Sequence, residues 1–381
     1  MKFLNNLKRK IFSEPLRLFI PEKIYAAVGK ECNIYFDNLI TSIAPQDYFF
    51  EVKCKIGRNE RYCYTVIPQA ENVGEHPLTI KIYDKFGLAE EVQSTLIVSP
   101  EISTKQNFSL LLIGDSQTAG EGYPDQLYLH LSKEENITFN MVGSNSSNYS
   151  IPQPGGVAHE GFGGWGWNTF FTNYNVNASS ENDGLDPSRP WLRDSSFLFP
   201  DGNSFKFDFE QYCKKYNASK YPDYIIIMLG TNNIFCCQSD MEVDKAWKTE
   251  IYPYMKKMVE IFRQCNPSCH IAFNTLIPGA ASQDAFGKCY GASYNMRRWR
   301  LNLHTYHQYL LRAAKELNIP LIPVHCAIDC RYGFPQQDEL LNANSDKMIC
   351  RTVNAVHPNR SGYNQIADAV FAYLKYTVTS E

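Results

Sequence analysis

Phe108-Ser109-Leu110-Leu111-Leu112-Ile113-Gly114-Asp115-Ser116-Gln117-Thr118-Ala119-Gly120 is the stretch that decides the fold. Its first half is a continuous apolar run, the pattern of a strand buried on both faces of a parallel sheet. The run stops in Gly-Asp-Ser, and a helical pattern follows over residues 123–133. A strand ending in a tight turn before a helix puts its last side chain beside unpaired backbone N–H groups and the positive helix end. Ser116 sits at that turn, where a nucleophilic serine meets donors already in place for its oxyanion. Serine is also a favoured helix N-cap, so this stretch alone leaves both roles open.

Downstream the same rhythm repeats. Apolar strands are predicted over residues 108–113, 138–142, 224–229, 270–276 and 319–324, with helical stretches between them. That alternation defines an α/β domain with a doubly wound, five-stranded parallel sheet. Trp299, Leu303, Tyr306, Leu310, Ala313 and Leu317 step by three and four, the period of a helix over 299–317. Ile366, Val370 and Leu374 give the last helix, 363–376, its apolar face. Pro253 predicts a kink or two helices between residues 241 and 262. Residues 173–206, polar and containing Trp191, read as a long insertion of the kind that faces substrate.

Upstream the pattern is all-β. Short strands are predicted over 23–28, 33–36, 48–55, 61–67, 78–84 and 91–98, parted by turns at 57–59, 72–74 and 85–87. Leu78, Ile80 and Ile82 alternate with polar residues, the mark of a half-buried strand. The expected organisation is a basic N-terminal segment (1–22), a small all-β sandwich domain (23–100), a linker (101–106) and the α/β domain (107–381). The sandwich carries no catalytic cluster.

The composition sets outer bounds. A chain of 381 residues with formal charge −3 has room for two cores and lacks the basic balance of a nucleic-acid binder. The basic start has no apolar h-region behind it, so no signal peptide is expected, and no run is long enough to span a bilayer. A cytoplasmic location is therefore favoured, with the twelve cysteines reduced. None of the cysteine spacings is the paired CxxC of a zinc site, and no metal or cofactor is expected. No nucleic-acid partner and no stable membrane insertion are expected; the sequence sets no oligomeric state.

In an open parallel sheet the active site lies beyond the carboxyl ends of the strands. Ser116 follows the first strand there. Gly161-Phe162-Gly163-Gly164-Trp165-Gly166-Trp167 follows the second at a distance, and Gly230-Thr231-Asn232-Asn233 directly follows the third. Val356-His357-Pro358-Asn359 precedes the last helix. These types suit acyl transfer: a tetrahedral oxyanion needs two or three donors about 3 Å away, and a serine needs a base. Each also has a plain role, since glycines make turns, Asn232 can cap a helix and a single histidine is commonly structural. Cys236 and Cys237 follow Asn233, but nothing near them in sequence resembles a base for a thiol nucleophile.

In this order the four blocks resemble the SGNH hydrolases, the GDSL esterase and lipase family, over residues 107–378. The match implies a flavodoxin-like fold of the SGNH type. It implies Ser116 as nucleophile, His357 as base, and the Ser116 N–H, the Gly164 N–H and the Asn232 amide as oxyanion hole. Trp165 and Trp167 are candidates to line an acyl or sugar subsite, with Asn233 a further candidate for binding substrate. The chain departs from the family at its acid. Where an Asp-X-X-His is usual, it has Asn354-Ala355-Val356-His357. Asn354 can orient the ring but cannot neutralise an imidazolium. The alternatives are a Ser–His dyad with a backbone carbonyl as orienter, a displaced acid (Asp329, Asp338 or Asp346), or a dead site. The two-domain layout resembles bacterial carbohydrate esterases. The expectation is a serine esterase removing a short acyl group, such as acetyl, from a carbohydrate, with a small-molecule or glycan ester as its partner. Transfer to a sugar hydroxyl and a non-catalytic carbohydrate-binding module are the alternatives.

Overall fold

The structure is a computed structural model that describes residues 16–42, 44–119, 122–147, 156–174 and 194–380. Compactness divides the chain into two units. One holds the described residues of Met1–Ser103, Ile277–Gln308 and Ile322–Glu381; the other holds those of Thr104–Leu276 and Tyr309–Leu321. The division therefore does not follow the expected boundary at residue 107, because segments after residue 276 belong to the same unit as the N-terminal strands. Most of the basic N-terminal segment, and residues 175–193 of the expected insertion with Trp191, lie outside the described residues.

In the first unit, strands β1 (Lys23–Ala27), β2 (Cys32–Tyr35), β3 (Phe49–Lys53), β4 (Arg58–Asn59), β5 (Cys63–Val66), β6 (Gly74–Asp84) and β7 (Gly87–Ser99) form two sheets. Their orders are β1-β7-β6-β3 and β2-β5-β4. The alternation in β6 buries Leu78, Ile80 and Ile82 on one face, and these join Ile34, Tyr64 and Val66 of the smaller sheet in one apolar core. Residues 58–59 were expected in a turn but pair with β5 as β4. The last helix, Arg360–Thr379, buries Ile366, Val370 and Leu374 as its period requires.

The second unit is built on β8 (Gln106–Gly114), β9 (Ile137–Val142), β10 (Asn145–Ser147), β11 (Val157–Gly161), the hairpin β12–β13 (Leu198–Asp201 and Ser204–Phe207), β14 (Tyr224–Met228), β15 (His270–Asn274) and β16 (Leu321–Ile322). The main sheet runs β10-β11-β8-β14-β15-β16, with β9 also paired to β8. β8 pairs in parallel with β9, β11 and β14, and β10 runs antiparallel to β11. The sheet is thus a mixed one of seven strands, which corrects the expected five-stranded parallel sheet. Of the two added strands, β10 and β11, the second reads Val-Ala-His-Glu-Gly, with two charged-type residues inside it, so it does not register as an apolar run. It is nevertheless buried, because its polar side chains find partners within the fold.

The helical breaks follow chemistry. The chain expected to kink near Pro253 forms helices Asp240–Ala246 and Tyr252–Cys265 with a π-helical turn, Trp247–Ile251, between them. Pro253 lies in the first turn of the second helix, where its missing N–H costs nothing. No described helix is long and apolar enough to cross a membrane.

Candidate active site

Three turns leave the sheet of the second unit at one level. Gly114 at the end of β8 pairs with Gly161 of β11 on one side and with Met228 of β14 on the other. Ser116, Gly164 and Asn232 lie two, three and four residues beyond those ends, on the carboxyl side where open α/β sheets hold their ligands.

Ser116 opens a four-residue helix, Ser116–Ala119, and is half-buried. It is not the cap. Asp115 takes that role: its backbone carbonyl accepts from Thr118 and Ala119 N–H (3.0 and 2.9 Å), and its Oδ1 accepts from Gln117 N–H (2.9 Å). The capping alternative for Ser116 is thereby removed. Asp115 is fully buried, and burial pushes its carboxyl up to about 7, against hydrogen bonds from Gln117 and the Thr231 side chain that pull it down.

The glycine loop spends most of its amides. Gly161 N–H donates to His159 Nδ1 (3.0 Å), Phe162 N–H to Gly114 O (3.1 Å), Trp165 N–H to Phe162 O (3.2 Å) and Gly166 N–H to Thr169 Oγ1 (3.0 Å). The N–H groups of Gly163 and Gly164 have no acceptor among the described residues, and of the two Gly164 is the exposed one, with a φ of +79° in the left-handed region that favours glycine. The exposed Asn232 side chain completes the arrangement. Its Nδ2 donates one hydrogen to Trp165 O (2.8 Å), the carbonyl of the residue after Gly164. An amide nitrogen carries two hydrogens, so the second is left for an incoming oxygen.

The expected binding roles of Trp165, Trp167 and Asn233 do not survive this geometry. Trp165 is 0% exposed and packs between Phe162 and Phe170, with centroids 4.4 and 4.9 Å away. Trp167 is 1% exposed, stands edge-on to Phe273 and donates its indole N–H to Leu229 O (3.1 Å). Neither offers a face to substrate; both are core that underpins the loop. Asn233 accepts from Trp167 N–H (3.1 Å) and donates to Asn168 Oδ1 (2.9 Å). A Cβ on Gly166 would collide with the Asn233 amide, so only glycine lets that amide in. Asn233 therefore holds the loop and has its polar ends occupied. Cys237 is buried with its thiol near Asn233 O (3.9 Å), and Cys236 is exposed.

His357 belongs to the first unit, in a loop held from several sides. Ala355 O accepts from Ala280 N–H (2.9 Å), and Asn359 N–H donates to Gly333 O (2.9 Å). Asn359 Oδ1 caps the last helix through Gly362 N–H (3.1 Å). The ring is partly buried, and that burial lowers the imidazole below its usual 6.5; a neighbouring carboxylate would push it the other way. Asn354, which could have oriented the ring, is engaged elsewhere. Its Oδ1 accepts from Val356 N–H (3.0 Å) and His357 N–H (2.9 Å), which fills both lone pairs of an amide oxygen. Asn354 shapes the backbone under His357 and leaves nothing for the ring.

Of the three carboxylates considered as displaced acids, Asp329 spends Oδ1 on Arg331 and Tyr332 N–H (2.8 and 3.1 Å). Asp338 is exposed on β17 (Gln336–Leu340), which pairs with β18 (Met348–Thr352), and Asp346 is exposed between the two strands. The residues that sequence reasoning missed are Asp115 as the cap, and Glu160, which is fully buried and accepts four hydrogen bonds.

Ser116, Gly164 and Asn232 thus follow neighbouring strand ends at the carboxyl edge of an α/β sheet, where an acyl hydrolase needs its nucleophile and oxyanion donors. The sequence pattern of the GDSL-like lipase/acylhydrolase family matches residues 110–370, and the chain belongs to that family of carboxylic ester hydrolases. Solved structures are similar at low identity. A family 3 carbohydrate esterase from Clostridium thermocellum is 14% identical, with 72% of this chain and 97% of that one covered and a TM-score of 0.38. A carbohydrate acetylesterase family member from Sinorhizobium meliloti is 12% identical, covering 71% and 99%, with a TM-score of 0.40. An extracellular lipase from Streptomyces rimosus is 10% identical, covering 69% and 99%, with a TM-score of 0.35. No protein of curated function matches the chain by sequence.

Proposed function

We propose that the protein is a serine esterase that removes a short acyl group, acetyl, from a carbohydrate through an acyl-serine intermediate. The observation that carries this reading is the exposed, unspent Gly164 N–H beside the Asn232 amide, at the level where Ser116 leaves β8. Ser116 Oγ attacks the ester carbonyl as His357 takes its proton. The carbonyl oxygen becomes an oxyanion received by the N–H groups of Ser116 and Gly164 and by Asn232 Nδ2. Collapse expels the sugar alkoxide, which takes the proton from His357. Water, deprotonated by the same imidazole, then attacks the acyl-serine, and Ser116 is regenerated with release of the carboxylic acid.

His357 works here in a dyad. Its lowered pKa keeps the imidazole neutral near pH 7, the form a base requires, and Asn354 is committed to the backbone. Residues 23–100 act as an accessory β-sandwich. The acetyl-sugar choice rests on the layout of that segment ahead of the hydrolase and on the Gly163-Gly164-Trp165 block, both of which resemble bacterial carbohydrate esterases.

The test is turnover of p-nitrophenyl acetate and of acetylated glycans, with Ser116→Ala as control and a fluorophosphonate as active-site label. Wild-type protein should show an acyl burst and label once, and Ser116→Ala should do neither while melting at the wild-type temperature. An unlabelled wild type would refute the esterase reading. Acylated sugar formed in the presence of an acceptor would make the protein a transferase instead.

A further inference from the structure

Glu160 is the one side chain in β11 that reaches three other segments. Its Oε1 accepts from Ser144 N–H and Tyr212 O–H (2.8 Å); its Oε2 accepts from Ser144 O–H (2.9 Å) and Ser196 O–H (2.6 Å). Four donors fill the four lone-pair sites of the carboxyl group, and none of these donors is cationic. Ser144 lies between β9 and β10, Ser196 precedes β12, and Tyr212 lies in the helix Phe209–Tyr216. The carboxyl is wholly buried, and burial raises its pKa while the four hydrogen bonds oppose the rise. Burial, followed by the neighbouring Glu160, holds the Tyr212 hydroxyl well above its ordinary pKa, so Tyr212 stays a donor.

Burying a carboxyl group without a cationic partner is costly, and removing it would leave buried donors unsatisfied, so its presence points to a placement that matters. The next residues show what it places. Glu160 pairs with Ile113 and Gly161 with Gly114, and Phe162 N–H then donates to Gly114 O (3.1 Å) before the chain turns through Gly164. Val157, only three residues before Glu160, begins the strand, and β11 meets β8 at just two residue pairs. β10 adds three antiparallel pairs on the other side, and Asn145 Nδ2 donates to Gly161 O (2.7 Å) at the exit. The Glu160 side chain adds to these the ties from β11 to residues 196 and 212.

We propose that Glu160 is a positioning residue for the loop 161–167, clamping β11 to residues 144, 196 and 212 so that the Gly164 N–H points to the oxyanion position. This rests on the esterase reading of Ser116 and Gly164. The role is one of hydrogen-bond geometry, so the isosteric amide should serve. In Glu160→Gln the amide oxygen can accept from Ser144 N–H and Tyr212, and the amide nitrogen can donate to two serine hydroxyls that rotate to receive it.

The experiment compares Glu160→Ala, Glu160→Gln, Ser196→Ala and Tyr212→Phe in full-length protein. Two readouts are kinetics on p-nitrophenyl acetate and hydrogen exchange of the amides of residues 161–167. Glu160→Ala should lose about 10²-fold in kcat at unchanged KM, the cost of misplacing a reacting constellation by about 1 Å. Glu160→Gln should recover most of that loss. Exchange at Phe162 and Trp165 should accelerate in the alanine variant and not in the glutamine one. If Glu160→Ala does not fold, Ser196→Ala and Tyr212→Phe decide: each removes one of the four bonds and should lower kcat severalfold with faster exchange in the same loop. Unchanged kcat and exchange in the folded variants, or an effect on KM alone, would overturn the proposal. A wild type with no esterase activity would sink the functional reading, and exchange in the loop would still decide the role of Glu160.

Discussion

Replacing Asn354 separates two ways in which an asparagine can stand three residues before His357, the proposed base. Its amide oxygen accepts from the N–H groups of Val356 and His357, at 3.0 and 2.9 Å. Val356 is buried, 7% exposed, so an alanine at 354 leaves at least one buried N–H without its partner. An unsatisfied buried donor costs about 1–3 kcal/mol, and losing a cap of this type costs about 0.5–2 kcal/mol. Asn354→Ala should therefore lower the melting temperature. It should also reduce kcat by up to about 10²-fold, because the backbone that aims His357 is released. Asn354→Asp behaves differently. A carboxylate accepts the same two N–H groups, so the loop is kept and turnover should stay within a fewfold of wild type. Thermal melts and kcat and KM on p-nitrophenyl acetate report both effects. An alanine variant with wild-type stability and turnover would refute the loop-holding role. An aspartate variant that gained tenfold or more would refute the dyad, since that gain requires a carboxylate facing the ring. In a triad of another fold the reverse change, Asp to Asn, costs about 10⁴ in turnover.

Asn232→Ala should lower kcat by about 10²–10³ with little change in KM, the usual cost of one oxyanion donor; a change confined to KM would make Asn232 a substrate-positioning residue instead. The pH profile of kcat/KM should rise with pH through a limb whose midpoint lies below 6.5, because burial lowers the His357 pKa and the neutral ring is the active form. An acid limb centred above 6.5 would show a carboxylate partner that stabilises the imidazolium. Trp167→Phe should cost stability through the lost indole bond to Leu229 O and the lost volume at a buried site, while KM stays at the wild-type value; a raised KM with unchanged melting would return Trp167 to the substrate cleft.

What was legible in the sequence was whatever a period or a breaker announces. The apolar runs at β8, β14 and β15 gave strands, and the steps of three and four from Trp299 gave the helix Met296–Glu316. Gly-Asp-Ser, the glycine block, Gly-Thr-Asn and His-Pro marked the turns, and the family pattern covers all four. Side-chain direction was not legible. Two tryptophans next to the proposed oxyanion glycine read equally as a stacking platform and as core, and only the packing of Phe162, Phe170 and Phe273 around them decides for core. Asn354 likewise reads as a ring partner until its oxygen is seen on two backbone N–H groups.

β11 shows the deeper reason. Pattern reading assumes that a buried strand is apolar, because burying an unpaired polar group costs several kcal/mol. That cost disappears when the partners are supplied, and for Glu160 they come from residues 16 earlier and 36 and 52 later in the chain. No window of ten or twenty residues contains such information. The polar residues that sequence periodicity discards are thus the ones whose burial the tertiary structure had to arrange. Here that arrangement sits one residue ahead of the loop on which the proposed chemistry depends. A strand assignment made on hydropathy alone will miss β11 for the same physical reason that makes Glu160 worth testing.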